Sequence, residues 1–111
     1  MIRFDFPSHL YDKKEQFIDA LKTVIDPELN INIVDLGLVY TIKIDEIHLN
    51  ILIEMTLSSK FCPMGESILS ATKNSMERTF PLFTTAVNLI WEPEWSYESI
   101  SLAGLKALRG C

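Results

Sequence analysis

The chain has 111 residues, of which 48% are hydrophobic and 23% are charged, and its formal net charge is −5. This length predicts one domain over residues 1–111, with a core that needs neither a disulfide nor a metal to fold. The acidic balance and the scattered lysines and arginines argue against binding to nucleic acid or to a membrane surface, since both select clustered positive charge.

No apolar run approaches the ~20 residues of a membrane-spanning helix, and the first residues do not resemble a signal peptide. The two cysteines, Cys62 and Cys111, are a poor disulfide framework for a small secreted domain. We therefore expect a cytoplasmic protein.

The N-terminal part of the chain predicts an arm, a helix and a turn. Residues 1–11 show no clear period and are expected to form a partly ordered N-terminal arm. An acidic variant of the capping box predicts a helix over residues 12–24, and a proline ends it. The turn that follows carries Asp26 and Glu28.

A hairpin follows the turn. Apolar and polar side chains alternate over residues 38–44 and again over 47–57, which is typical of strands with one covered face. The short connection at Asp45 and Glu46 predicts that the two strands are antiparallel.

The C-terminal half predicts a crossover unit. A helix follows Pro63 and ends near Thr79, and residues 83–91 then alternate as a third strand. A strand–helix–strand unit of this length makes a right-handed crossover, so the third strand should run parallel to the second. A short helix begins near Ser99, and its side chains expected to point inward are Ile100, Ala103, Ala107 and Leu108. The sum is an α+β fold, a two-layer α-β-β-α-β-α domain whose small mixed three-stranded sheet is covered by helices on one face.

Cys62 is the residue with the strongest chemical signal. It lies between the second strand pattern and the second helix pattern, directly before Pro63. Proline is favoured at the first helical position, so Cys62 is predicted to be the N-cap. Its thiol would then lie at the positive end of the helix dipole, where the reactive and metal-binding thiolate is favoured. The alternative is a small buried residue that fills a turn, because free cysteines are often buried.

Several ordered motifs strengthen the interpretation of this segment. They are Asp26-Pro27-Glu28-Leu29, residues 33–40, residues 55–59, the Cys62-Pro63 pair and residues 91–95. Together they resemble the metal–sulfur (iron–sulfur) cluster assembly factor family, which includes SufT-like and PaaD-like proteins, and the resemblance covers about residues 12–105. It implies an accessory factor in iron–sulfur cluster assembly, maturation or delivery to client proteins, and not an enzyme.

The resemblance also implies where the functional positions lie. They fall on Asp26, Glu28, Thr56, Ser58, Ser59 and Cys62. The alternation places Thr56 on the polar face of the second strand. The serines stand where the family commonly has threonines, which keeps both hydroxyls, and Lys60-Phe61 replaces its usual Pro-Gly. A turn-closing role explains Asp26 equally well, because aspartate readily bonds its own backbone. A tight bend explains Gly37 without any ligand.

Ligand counting limits what one chain can hold. An iron–sulfur cluster usually takes four ligands, mostly thiolates, and only Cys62 is well placed. We therefore expect Cys62 to be a metal ligand to a transient iron–sulfur cluster or iron, with no tightly bound cofactor. The other ligands would come from a second subunit of a homodimer or from a client apo-protein, and the expected partners are such clients or the assembly machinery.

Two further functions stay open. A cysteine-dependent enzyme needs a base, commonly histidine, within reach of the thiol. Neither His9 nor His48 is obviously placed for that role. A pure protein-interaction adaptor would leave the thiol incidental.

Overall fold

The computed structural model describes residues 2–59 and 64–109. In chain order its elements are β1 (Arg3–Asp5), a 3₁₀ helix (Ser8–Lys13), α1 (Lys14–Leu21), β2 (Ile25–Asp26), β3 (Ile31–Asn32), β4 (Val39–Asp45), β5 (Asn50–Met55), α2 (Gly65–Thr79), β6 (Thr84–Leu89), a second 3₁₀ helix (Tyr97–Ser99) and α3 (Leu102–Arg109). The predicted α+β class is confirmed. Among the described residues, no helix has the length and apolar character needed to cross a membrane.

Four strands form a mixed sheet in the order β1-β4-β5-β6. β4 and β5 are antiparallel, and β6 runs parallel to β5 after the crossover through α2, so both predicted pairings are confirmed. The sheet has one strand more than the three predicted. The extra strand is β1, which pairs in parallel with β4.

The expectation of a partly ordered arm over residues 1–11 is corrected by this pairing. Arg3–Asp5 forms the edge strand, and the side chains of Phe6 and Leu10 behind it are buried in the core. A strand of three residues is too short for a period-two pattern to show in the sequence.

The first helix is shorter than predicted. α1 ends at Leu21, because the next residues turn toward a two-stranded ribbon formed by β2 and β3. The carbonyl oxygen of Val24 accepts the N–H of Ile33 at 3.0 Å, which draws Val24 out of the helix. Val24 stays buried, so its apolar character reflects this packing and not a continued helical stripe.

The core lies between the sheet and the helices α1 and α2. Its fully buried side chains include Phe17 and Leu21 of α1, Met76 of α2, and Ile42, Ile51, Ile53 and Met55 of the sheet. The rings of Phe17 and Phe80 lie 4.6 Å apart between centroids. The hydroxyl of Ser75 on α2 donates a hydrogen bond of 2.8 Å to the carbonyl of Ala20, which ties the two helices together.

Alternation predicts β5 better than β4. The β4–β5 register shifts between Val39 and Thr41, and both of those residues are buried together with Ile42. Tyr40, expected on the apolar face, is only half-buried. A bulge moves side chains between faces, which a strict period of two does not anticipate.

The last helix packs through a glycine. α3 begins at Leu102. Ile100 is buried as predicted, whereas Ala103 and Ala107 are exposed, so the prediction that these two point inward is wrong, and the side chain of Leu108 lies outside the described part. Gly104 is buried instead, and a methyl group placed on it would lie 2.6 Å from Cγ2 of Ile100. Contact through a bare backbone leaves no hydrophobic signal in the sequence.

Candidate functional site

The predicted site residues lie on two segments. Asp26 is the last residue of β2 and Glu28 lies in the turn between β2 and β3, whereas Thr56, Ser58 and Ser59 follow β5. Cys62 lies outside the described residues, so its predicted role as a metal ligand stays a prediction.

Asp26 closes its own turn. Its side chain is 1% exposed, and Oδ1 accepts the N–H groups of Glu28 at 2.8 Å and Leu29 at 3.3 Å. The backbone interpretation of Asp26 is therefore confirmed, although the turn it closes joins two short strands and does not cap α1. Its second oxygen, Oδ2, is buried and has no hydrogen-bond partner within residues 2–59 and 64–109.

Thr56 shares this property. It is also 1% exposed, and Oγ1 has no hydrogen-bond partner in the described part of the chain. The expectation that Thr56 lies on the polar face of its strand is thus wrong. Thr85 on β6 carries the third such oxygen. Burying a polar oxygen without a partner costs free energy, and two positions to which the family resemblance assigns a role each carry a buried oxygen without a hydrogen-bond partner among the described residues.

A backbone ladder connects the two segments. Ile33 donates to the carbonyl of Val24, Leu38 donates to that of Ile33 at 3.0 Å, and Thr56 donates to that of Leu38 at 2.8 Å. The ladder thus runs from Val24, two residues before Asp26, to Thr56, the first residue after β5. Both segments therefore lie at the same end of the sheet, where β4 begins and β5 ends.

α2 begins later than predicted. Its first residue is Gly65 and its N-cap is Met64, without a side-chain capping bond, so the assignment of Cys62 as N-cap is wrong. A methyl group on Gly65 would lie 2.7 Å from Cδ1 of Leu57, which shows how closely the helix start packs against the end of β5. This tertiary contact outweighs the preference of Pro63 for a first helical position. An N-cap position therefore no longer supports the prediction of an ionised thiol at Cys62.

Ser58 and Ser59 line a cavity of about 410 Å³. The remaining lining residues are Leu57, Trp91, Glu92, Glu94 and Trp95. We call it the indole–glutamate cavity. Because β5 and β6 are parallel neighbours, the segments that leave their carboxyl ends meet at one edge of the sheet, and the cavity lies between them.

Two hydrogen bonds hold the wall formed by residues 91–95. The Tyr40 hydroxyl donates to the carbonyl of Pro93 at 2.8 Å, and the indole N–H of Trp95 donates to the carbonyl of Leu36 at 2.6 Å. Burial, and after it the negative charge of Glu92, raises the pKa of Tyr40, which favours the neutral hydroxyl that donates this bond.

The loop before β4 packs against the segment that follows this wall. Gly37 has a φ of +74°, and a methyl group on it would lie 2.3 Å from the carbonyl oxygen of Ser99. The Ser101 hydroxyl donates a hydrogen bond to the Asp35 carboxylate, and the Ser101 N–H donates one to the Asp35 carbonyl oxygen. The structural explanation of Gly37 is therefore confirmed.

The histidines take no part in the site. His48 lies in the turn after β4, where its ring bonds the carboxylate of Asp45 at 2.7 Å, and this bond is the main cause that lowers the pKa of Asp45. His9 bonds Glu46 in the same way. Within the described ranges, no group of three or more histidine, cysteine or acidic side chains could hold a metal ion. The described residues alone thus do not fit a resident metal or cluster.

Sequence reasoning missed half of the cavity. Residues 91–95 were recognised only as one of the family motifs, and neither glutamate in them was assigned a role. Both indoles are in fact partly buried and pack against the core while they line the cavity. The predicted parallel pairing of the second and third strands contained the missing signal, because it brings the ends of both strands together.

The comparisons with known proteins agree with one another. Residues 14–89 match the family model described as iron-sulfur cluster assembly protein. The Fe-S protein maturation auxiliary factor YitW of Bacillus subtilis is 39% identical over 88 residues, which cover 79% of this chain and 85% of that protein. The Fe-S protein maturation auxiliary factor SufT of Staphylococcus aureus is 41% identical over 78 residues, which cover 70% of this chain and 88% of that protein. A crystal structure of a domain of unknown function from Bacillus anthracis matches with a TM-score of 0.82 at 38% identity, covering 89% of this chain and 93% of that one.

Proposed function

The chain belongs to the iron-sulfur cluster assembly protein family, and from this premise we propose that it is an auxiliary factor in iron–sulfur cluster assembly, maturation or delivery. The observation that carries the proposal is the match over most of the chain to two relatives named Fe-S protein maturation auxiliary factors. Its partners are the assembly machinery or client apo-proteins, and its compartment is the cytoplasm.

Cys62 supplies one thiolate to the cluster or iron, which is the cargo of this protein. Leu57 and Gly65 pack closely, so the ends of the connection that carries Cys62 are held together. A second subunit or the client supplies the remaining ligands, since a cluster usually takes four. Incomplete ligation by one chain suits a carrier, because the cargo must leave it.

Asp26 and Thr56 act as positioning residues. Each keeps one buried side-chain oxygen without a partner in the described part of the chain, and the ladder from Val24 to Thr56 holds both at one end of the sheet. We assign those oxygens to hydrogen bonds that orient the Cys62 connection or the bound cargo. The exposed Glu28 and the hydroxyls of Ser58 and Ser59 complete the polar surroundings of the site.

We assign the protein no catalytic chemistry of its own. A nucleophilic cysteine needs a base, and both histidines are exposed and bonded to carboxylates in the β4–β5 turn region, namely Asp45 and Glu46. This pairing disfavours the enzyme alternative.

A complementation experiment with two matched cysteine variants tests the proposal. Wild-type protein, Cys62→Ser and Cys111→Ser are expressed in a host strain that lacks its own family member. An iron–sulfur client enzyme is then purified anaerobically, and its activity is measured before and after chemical reconstitution with iron and sulfide. Reconstitution separates client that lacks its cluster from client that is scarce.

Wild type and Cys111→Ser should restore the activity measured before reconstitution, and Cys62→Ser should leave the client in its apo form. Full activity with Cys62→Ser would remove the thiol from the mechanism and favour the adaptor alternative. Failure of wild-type protein to change the client's cluster content would overturn the auxiliary function itself.

A further inference from the structure

The geometry points to the indole–glutamate cavity as a docking site for an arginine side chain of a partner protein. This inference rests on the proposed function, because the partner is taken to be a client or an assembly protein that must approach the neighbouring Cys62 connection. It adds the chemistry by which that partner is recognised.

The charge of the cavity is the first argument. Glu92 and Glu94 line it and are exposed, and neither forms an ion pair within the part of the chain that the structure describes. The lysine and arginine ion pairs there join Arg3 to Asp5 and Lys43 to Glu54 instead. Two carboxylates beside a cavity in a chain of net charge −5 complement a cation supplied by a partner.

The two indoles make the site selective. Trp91 and Trp95 line the same cavity and are only half-buried. A tryptophan face attracts a cation more strongly than any other aromatic ring, and a planar guanidinium both stacks on it and pairs with carboxylates. A guanidinium is also less strongly hydrated than an ammonium, so it enters a partly buried aromatic site at lower cost.

The site is preorganised and has a suitable size. The bonds from Tyr40 to Pro93 and from Trp95 to Leu36 fix residues 91–95 before any partner arrives, which lowers the entropic cost of binding. The volume of about 410 Å³ lies within the range of roughly 300–1,000 Å³ that is usual for ligand sites. It accommodates a guanidinium with its aliphatic stem, and the hydroxyl of Ser58 on the opposite wall offers a further acceptor.

The test uses arginine amide and its neutral analogue citrulline amide as probes. The chain has two tryptophans, and both line the cavity, so the two indole N–H signals of the ¹⁵N-labelled full chain report on it directly. We expect arginine amide at millimolar concentrations to shift both signals in a saturable way and citrulline amide to shift neither. Glu92→Gln/Glu94→Gln should weaken binding roughly tenfold through loss of two carboxylate contacts.

The control variant Glu15→Gln/Asp19→Asn removes two exposed charges from α1 and should bind as wild type does. The proposal is overturned by indole signals that arginine amide does not move, by equal shifts with both amides, or by unchanged affinity in the glutamate variant. Cys62→Ser should retain arginine binding while it loses maturation activity, so this inference and the proposed function fail separately.

Discussion

The two oxygens of Asp26 should contribute unequally to stability. Oδ1 accepts two backbone N–H groups, whereas Oδ2 has no partner among the described residues. Asp26→Ala removes both bonds and leaves two N–H groups in a partly buried turn. The bond of 2.8 Å contributes about 1–2 kcal/mol to the free energy of unfolding, and the bond of 3.3 Å contributes less. Because the substitution also leaves a small cavity, we expect it to lower the free energy of unfolding by about 2–4 kcal/mol.

Asp26→Asn keeps the accepting oxygen and places an amide nitrogen at the position of Oδ2. Because Oδ2 makes no bond that stabilises the described fold, the free energy of unfolding of this variant should lie within about 1 kcal/mol of the wild-type value. The proposed positioning role predicts a different result for function. The amide nitrogen cannot accept a hydrogen bond, so the asparagine variant should lose maturation activity although it remains folded.

Urea unfolding followed by circular dichroism checks both variants. With a denaturant slope of about 1–3 kcal/mol per M, the alanine variant should unfold about 1–2 M below wild type, and the asparagine variant within roughly half a molar. Equal losses in the two variants would show that Oδ2 carries structural bonds. An alanine variant as stable as wild type would refute the role of Oδ1 in holding the turn.

Three further predictions concern the surroundings of the site. Gly37→Ala combines a positive φ with a contact of 2.3 Å between the added methyl group and the carbonyl oxygen of Ser99. It should therefore lower the free energy of unfolding by about 3 kcal/mol or more and the melting temperature by roughly 10 °C. A change in melting temperature below about 2 °C would contradict this. Burial, and then a nearby carboxylate, raises the pKa of Tyr40 above 10.0, so the folded state holds the proton more tightly and stability falls as pH rises beyond that value. Urea midpoints of wild type and Tyr40→Phe should therefore differ by a constant amount below pH 10 and converge as the pH rises above that value, and a gap that stays constant above pH 10 would argue against this titration. His48→Ala should return the pKa of Asp45 upward toward 3.8 in an NMR titration, since the ring bond is the main cause that lowers it, and an unchanged midpoint would exclude that cause.

The sequence predicted the fold where local patterns are long. Alternation over β5 and the crossover through α2 were sufficient for the hairpin and for the parallel pair. β1 is too short to show a period, and α3 packs through Gly104, which has no side chain to show which face is buried. These features depend on contacts between distant residues, so single-sequence patterns do not contain them.

The candidate site was predictable only in part, because its two walls come from segments that are distant in the sequence. The family resemblance drew attention to Ser58 and Ser59, and both residues line the cavity. The opposite wall required knowledge of which strands are neighbours. The helix start was misplaced because the contact between Leu57 and Gly65 overrides the local preference of Pro63.

The role of Cys62 is measured most directly by cluster transfer in a purified system. An apo-client, a cluster donor and a stoichiometric amount of this protein are mixed anaerobically, and the rate of client activation is compared for wild type, Cys62→Ser and Cys111→Ser. We predict that wild type and Cys111→Ser accelerate activation, and that Cys62→Ser, folded as judged by circular dichroism, gives the rate seen without the protein. Acceleration by Cys62→Ser equal to that of wild type would contradict a thiolate-based function.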